Sequence, residues 1–194
     1  MEFKYIHSNR YDKTRLLEVL SIDEKVYDKK YRGTFESVSN RYHSNEEMFI
    51  FAVDEEDKLC GYICFFPISD SLKEKIENEN IMFDDNILPN DITQYSLDKT
   101  NNIFLISVAL HPQYLGKGIG FNLVREMFAY FELLMSKNYK IGSIYASATS
   151  HNGKKLLSKF NFDIIKSYEN NNFLMKCNIN KYSDMDLYLF FPVK

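Results

Sequence analysis

Apolar residues recur along this chain with two spacings, and each spacing predicts one kind of secondary structure. Short apolar runs predict strands over residues 3–7, 48–53, 59–67, 103–110, 141–148, 162–167 and 173–178. Stripes with the period of a helix predict helices over residues 14–31, 36–42, 119–137 and 152–160. A last apolar stretch follows at 187–191. Because strands and helices alternate throughout, we expect an α/β (mixed α+β) fold with a central mixed sheet.

Two details of the pattern place individual side chains. The first helical stripe should bury its apolar members, which are Leu16, Leu17, Val19, Leu20, Val26 and Tyr27. Cys60 and Cys64 lie four residues apart on a predicted strand, so we expect them on one face of the sheet. No second Cys or His pair accompanies them, so packing in the core is favoured over a zinc site.

Composition narrows the class of protein. The chain has 194 residues, which predicts one domain over residues 1–194, and a net charge of −3, which offers no basic surface for nucleic acid. Three cysteines, an odd number, argue against a disulfide framework and for a reducing compartment. The first ten residues lack an apolar leader, and no apolar run reaches the length of a membrane span. We therefore expect a cytoplasmic protein that does not bind membranes.

The most informative segment joins the predicted strand 103–110 to the predicted helix 119–137. Pro112 cannot donate to a strand ladder, so His111-Pro112 should end the strand. Gly116, Gly118 and Gly120 then stand at every second position. Glycines let successive N–H groups converge on one point, and the start of a helix adds free donors and a positive dipole end. The segment therefore predicts a site for a phosphate or pyrophosphate.

The spacing of these glycines decides between phosphate ligands. A dinucleotide-binding loop needs G-x-G-x-x-G, and a Walker A loop needs Gly-Lys-Ser/Thr, so neither fits. Residues 115–120 instead resemble the acetyl-CoA loop of the GNAT superfamily of N-acetyltransferases, Q/R-x-x-G-x-G/A. The six positions are Leu115, Gly116, Lys117, Gly118, Ile119 and Gly120. Both motif glycines match, whereas Leu115 stands where the family usually has Gln or Arg.

A second resemblance follows the predicted strand 141–148. Many of these acetyltransferases carry N-x-x-A-x-x-L-Y-x-K-x-G-F, and residues 150–162 read S-H-N-G-K-K-L-L-S-K-F-N-F. Leu156, Lys159 and Phe162 match, and Asn161 replaces a glycine with a residue that tolerates the left-handed conformation. Leu157 occupies the place of a tyrosine that commonly donates a proton to the departing CoA thiolate, so that role does not carry over.

The resemblance implies a GNAT-like splayed mixed sheet flanked by helices, and direct transfer of an acetyl group from acetyl-CoA to a primary amine. It places the oxyanion-binding and pantetheine-binding backbone near Val108, Ala109 and Leu110, the pyrophosphate on the amides of 115–120, and a further cofactor contact at Asn152. The acceptor would be a small-molecule or peptide amine, with cationic amines among the candidates, and the protein a monomer or homodimer. Because Leu115 and Leu157 depart from the family pattern, a catalytically weak CoA-binding regulatory or interaction module on the same fold is the alternative.

Catalytic groups are less evident than the loop. Ser107 is the one polar residue in the predicted strand 103–110, and Tyr145, ahead of Tyr168, is the candidate proton donor. Glu47 and Asp98 are candidate bases, although each is also typical of a surface acid. The four histidines lack the spacing of metal ligands, so no metal is expected.

Residues 70–100 form an acidic segment where the family usually has a short hairpin. The segment holds eight acids and three bases, for a net charge of −5. We interpret it as an insertion between the third and fourth strands, and connections of this length are often functional or disordered. Two interpretations stay open: a lid whose acids, such as Asp84, Asp85 and Asp91, attract a cationic amine, or a solvated decoration.

Overall fold

The computed structural model describes residues 2–78 and 87–179. Its centre is one mixed sheet with the strand order β1-β2-β3-β4-β5-β7-β6. The strands are β1 (Lys4–His7), β2 (Phe49–Val53), β3 (Leu59–Ile68), β4 (Thr100–Leu110), β5 (Lys140–Ala148), β6 (Asp163–Tyr168) and β7 (Asn172–Asn178). The β4–β5 pair is parallel and the other neighbouring pairs are antiparallel. Predictions for Asp84, Asp85 and residues 187–191 lie outside the described residues.

Helices cover both faces of this sheet. They are α1 (Lys13–Val26), α2 (Phe35–Ser44), α3 (Asp70–Asn78), α4 (Ile119–Ser136) and α5 (His151–Ser158). Buried side chains of α4 and α5 form one apolar cluster with the sheet, and those of α1, α2 and α3 form a second cluster. The expected mixed α/β fold is therefore confirmed, with a core on each side of the sheet.

Side-chain caps explain why several helices begin where they do. The carboxylate of Asp12 accepts hydrogen bonds from the amides of Thr14 and Arg15 at the start of α1. The hydroxyl of Ser150 accepts from the amide of Gly153 at the start of α5. Such bonds satisfy amides that the first helical turn leaves without partners. Helix α4 differs, because it starts directly after Gly118, which has a left-handed conformation and makes no side-chain cap.

The two central strands separate partway along their length. Strand β4 pairs with β5 from Thr100 to Leu105, but with β3 as far as Leu110. Between these points the β3–β4 register shifts, so that Ile106 is an extra residue on β4. Bulges bend a strand and increase its twist. The sheet is accordingly splayed beyond Leu105, as the resemblance implied.

Two expectations about individual faces were wrong. On α1, Leu17 is 52% exposed and Val26 is also exposed, whereas Asp23 is buried. The helix ends at Val26, so its buried stripe is shorter and shifted relative to the predicted one.

Cys60 and Cys64 lie in different apolar clusters, on opposite faces of the sheet. The cause is a bulge at Cys60, because Ala52 pairs with Gly61 while Val53 pairs with Leu59, and one extra residue reverses the alternation. Both cysteines are buried and neither forms a disulfide bond, as core packing predicts.

The acidic segment between β3 and β4 packs onto the domain at both of its described ends. Leu72 and Ile76 of α3, a helix that the sequence pattern did not reveal, are buried in the cluster that contains α1 and α2. Near the other end, Ile92 bridges Ile68 at the end of β3. Asp91, one of the proposed lid acids, accepts a hydrogen bond from the amide of Leu88 within a short turn.

Candidate active site

A cavity of about 810 Å³ lies where β4 and β5 separate. Its walls come from the bulged end of β4, the end of β5, the loop before α4, the start of α5, and α1 with the segment that follows it. Seven of the residues predicted to be catalytic or cofactor-binding line it: Ser107, Val108, Ala109, Leu110, Leu115, Gly120 and Asn152. Residues distant in sequence therefore meet in one cleft that reaches both faces of the sheet.

The loop before α4 has the geometry of an anion cradle. Gly116 and Gly118 both have φ +77°, a conformation that residues with a side chain rarely adopt. A Cβ built on either glycine would meet nothing within 4 Å, so the glycines are needed for conformation and the space beside them is open. The first amides of α4, from Ile119 onward, have no acceptor within the helix. The loop can therefore hold a phosphate against these amides and the positive end of the helix.

The two ends of this loop differ in burial. Leu115 is 61% exposed, so its side chain packs little against the domain. A longer polar residue at this position would therefore disturb little packing. Gly120 is buried, and a Cβ there would lie 3.5 Å from Leu110 Cδ1 and 3.8 Å from Leu156 Cδ2, which is ordinary contact. The ammonium of Lys117 lies 5.0 Å from the centroid of the Tyr114 ring. Lys117 is thus held beside the loop by a cation–π contact.

Ser107 lies at the centre of a hydrogen-bonded group inside the cavity. Its Oγ is 2.9 Å from the hydroxyl of Tyr27 and 3.1 Å from the hydroxyl of Tyr62. The Tyr62 hydroxyl in turn donates to Oδ1 of Asp23. Burial, together with the nearby Asp23 charge, raises the pKa of Tyr62 well above its ordinary value, so this hydroxyl stays protonated at neutral pH. Four side chains from α1, the residue after α1, β3 and β4 therefore form one chain.

Sequence reasoning found Ser107 but missed Asp23, Tyr27 and Tyr62. Asp23 is 9% exposed and Tyr62 is 2% exposed, although both carry polar atoms. The available signal was the position of Asp23 in the helix, four residues after Val19 and seven after Leu16, on the apolar stripe. An acid at such a position is buried by the helix and must find a partner in the core.

The two tyrosines proposed as proton donors do not line the cavity. Tyr145 is fully buried, and its hydroxyl donates to Glu77 of α3, which also accepts from Lys176 at 2.9 Å. The pKa of Tyr145 is raised, first by burial and then by the bond to Glu77. The Tyr168 hydroxyl is buried without a hydrogen bond to the residues described here, and burial raises its pKa.

The candidate bases Glu47 and Asp98 also lie outside the cavity wall. Glu47 accepts a hydrogen bond of 2.8 Å from the hydroxyl of Tyr130 on α4. Asp98 is exposed, next to the start of β4. The carboxylates that do line the cavity are Asp23, which is buried, and Asp28, which is exposed. No cluster of three potential metal ligands occurs in residues 2–78 and 87–179, and no helix in those residues is long and apolar enough to cross a membrane.

The comparisons with known proteins agree with this geometry. Residues 16–162 match the model of the Acetyltransferase (GNAT) family, and a search of the curated proteins finds no match. Because that family model covers more than half of the sequence, the chain belongs to the GNAT acetyltransferase family. The resemblance inferred from the residues around the loop is thereby confirmed.

Solved structures share the fold at low sequence identity. The loading GNATL domain of CurA from Lyngbya majuscula has a TM-score of 0.69 and 14% identity, over 94% of this chain and 100% of that chain. A chain of the NatC complex bound to Gag peptide and CoA has a TM-score of 0.64 and 13% identity, over 92% and 99%. Arabidopsis thaliana Naa50, in complex with the bisubstrate analogue CoA-Ac-MVNAL, has a TM-score of 0.59 and 13% identity, over 91% and 99%.

Proposed function

We propose that this protein transfers the acetyl group of acetyl-CoA to a primary amine in a single direct step. The observation that carries the proposal is the splay of β4 from β5, which opens one cavity between the glycine loop and the side chains below α1. A donor on the loop side and an acceptor on the α1 side would meet beside Ser107. Proximity of this kind is a large part of what a transferase needs to supply.

The donor side of the cavity matches the chemistry of acetyl-CoA. The pyrophosphate would bind the amides of residues 115–120, with Lys117 and Asn152 nearby. Beyond Leu105, the edge of β4 that faces β5 makes no ladder with that strand, so its amide and carbonyl groups can pair with the amides of pantetheine like an added strand. An amide between Val108 and Leu110 would then polarise the thioester carbonyl.

The acceptor side combines apolar walls with one buried carboxylate. Val19, Val38 and Phe49 line it together with Tyr62 and Asp23. In neutral water a primary amine is mostly an ammonium ion. A carboxylate in such a pocket stabilises the bound ammonium, which must lose a proton before it can attack. The acceptor is therefore a primary amine on a small molecule or on a peptide.

The test is a thiol-release assay with acetyl-CoA and three acceptors that differ in their amine. These are the pentapeptide Met-Val-Asn-Ala-Leu, Nα-acetyl-lysine amide and spermidine. We expect amine-dependent release of CoA with at least one acceptor, and mass spectrometry should show the acetylated amine. A protein that binds CoA by calorimetry but releases no thiol with any of the three would instead be a CoA-binding module.

A further inference from the structure

We infer that Ser107 accepts a proton from the acceptor amine and passes it through Tyr62 to Asp23. This inference rests on the proposed function and assigns its proton-removing groups. Ser107 would be the catalytic residue because it touches the amine, whereas Tyr62 and Asp23 act through it and are positioning residues. The hydrogen bonds, the burial of Tyr62 and Asp23, and the place of Ser107 in the splay each support this assignment.

The direction of the hydrogen-bonded chain follows from the number of protons available. A tyrosine hydroxyl has one proton. The Tyr62 hydroxyl uses its proton to donate a hydrogen bond to Asp23, which as a carboxylate can only accept. Tyr62 must therefore accept at its oxygen from Ser107, 3.1 Å away. Because its single proton points toward Tyr62, Ser107 presents its lone pairs to the cavity. Tyr27 can donate to one of them, and an amine N–H can donate to the other.

The bulge in β4 places Ser107 where the two substrates would meet. Ile106 packs against the cluster below α1, and the hydroxyl of Ser107 bonds to Tyr62 of the same cluster. Two successive side chains therefore face α1, which a regular strand does not allow. The amides of Val108 to Leu110 come next in the chain, so Ser107 lies beside the backbone proposed to polarise the thioester.

The proton transfers balance without any further reagent. The bound ammonium gives one proton to Ser107, Ser107 gives its own to Tyr62, and Tyr62 gives its own to the Asp23 carboxylate. The lone pair of the neutral amine then attacks the thioester carbon, the C–N bond forms, and the C–S bond breaks with its electrons on sulfur. The second amine proton goes to the thiolate to give CoA, and the Asp23 proton leaves to solvent.

Other titratable or charged groups around the same cavity must be considered in any pH dependence. They are Lys25, Tyr27, Asp28, Tyr31, Arg32, Arg41 and Cys64. Asp28 is exposed, and the guanidinium of Arg32 donates to the carbonyl oxygen of Tyr27. The hydroxyl of Ser107 hydrogen-bonds to Tyr27 and Tyr62, and the hydroxyl of Tyr62 bonds to Asp23. Asp23 is thus the carboxylate that these bonds connect to the reacting centre.

The experiment compares Asp23→Asn, Tyr62→Phe and Ser107→Ala with the parent protein, using the best acceptor of the three amines above. An Asn at position 23 still accepts the Tyr62 hydrogen bond but cannot take up a proton, so a merely structural Asp23 would leave activity intact. We expect each variant to lower kcat/KM for the amine by about 10²-fold at pH 7, with unchanged affinity for CoA.

A pH profile separates proton removal from packing. Without the chain, the variants must use the small fraction of amine that is already neutral, so their deficit should shrink as pH rises toward the pKa of the amine. For the pentapeptide, whose α-amino pKa is about 8, the deficit should shrink roughly tenfold between pH 7 and pH 9. Tyr42→Phe is the matched control, because it removes another buried hydroxyl, bonded to the carbonyl oxygen of Arg10, away from the cavity.

Three results would overturn the assignment. The first is an Asp23→Asn variant with parental kcat/KM at pH 7, the second is a deficit that stays constant with pH, and the third is an equal deficit in Tyr42→Phe. All three are distinguishable from failure of the proposed function, in which the parent protein itself releases no thiol with any of the three amines.

Discussion

Replacing Gly118 tests why the loop needs glycine. At φ +77° an alanine pays about 1–2 kcal/mol for the left-handed conformation, although its Cβ would meet no atom within 4 Å. In the free protein the cost is therefore conformational. A steric cost would arise only if bound CoA occupied the space that the Cβ enters. We expect Gly118→Ala to lower the combined free energy of folding and CoA binding by about 1–2 kcal/mol. This loss is equivalent to roughly a 5- to 30-fold change in the combined equilibrium constant.

This cost is divided between folding and binding. If the free loop keeps its shape, the variant loses stability and binds CoA normally, whereas if the free loop relaxes, the loss falls on binding. Denaturant unfolding at saturating CoA reports the sum of the losses in folding and in binding, and calorimetry of CoA binding shows how much of it falls on binding. The sum should be about 1–2 kcal/mol in either case.

Gly118→Asn distinguishes strain from bulk. Asparagine tolerates the left-handed conformation better than alanine but is larger. Strain predicts that Asn is the milder substitution, and collision with a bound pyrophosphate predicts that it is the more severe one. Gly120→Ala is a second comparison, since Gly120 has no positive φ and its Cβ would make ordinary contacts, so CoA binding should persist. A stronger loss from Asn than from Ala would refute the conformational argument.

Three further outcomes are expected. Leu115→Arg should tighten CoA binding by about 1 kcal/mol in calorimetry, because an exposed leucine gives way to a cation beside the anion cradle. Tyr145→Phe should leave kcat within about threefold of the parent while lowering stability by about 1 kcal/mol, since its hydroxyl bonds to Glu77 away from the cavity; a hundredfold fall in kcat would restore it as a proton donor. The hydrogen bond from Tyr114 holds the pKa of Asp54 below its usual value. This bond therefore stabilises the folded state fully at pH values above the pKa of Asp54 in the unfolded chain, and the stabilisation disappears as the pH falls through the pKa of Asp54 in the folded protein. Acid unfolding of Asp54→Asn should show a weaker dependence on pH below about 4 than that of the parent.

Sequence periodicity predicted the strands and helices of this fold well, because most of them bury a regular apolar pattern. Strand β4 ends at Leu110 just before Pro112, and α4 begins at Ile119 directly after the glycine loop, as expected. Asn161, which replaces a family glycine, has the left-handed φ of 56° that the exchange requires. These features depend on neighbouring residues and can therefore be read locally.

What the sequence did not reveal depends on pairing between distant segments. The bulges at Cys60 and Ile106 arise from how β3 meets its neighbours, and an apolar run looks the same with or without an extra residue. The position of Asp23 on the apolar stripe of its helix indicates burial, but it does not identify the partner, Tyr62, which lies 39 residues away in the sequence. The roles of Ser107, Tyr145 and Tyr168 in catalysis remain predictions, and the proposed kinetics address those of Ser107 and Tyr145.

Strand β4 separates two kinds of recognition beyond its bulge. In the proposed function, the edge of β4 that faces β5 binds the acetyl donor through backbone groups, which are the same whatever the residue. The face of β4 toward α1 contacts the acceptor through the side chains of Ile106 and Ser107. Substitutions at Ile106 thus alter the wall offered to the amine and leave the donor's hydrogen-bonding groups in place. A fold built in this way can change its acceptor within one strand and keep a constant coenzyme.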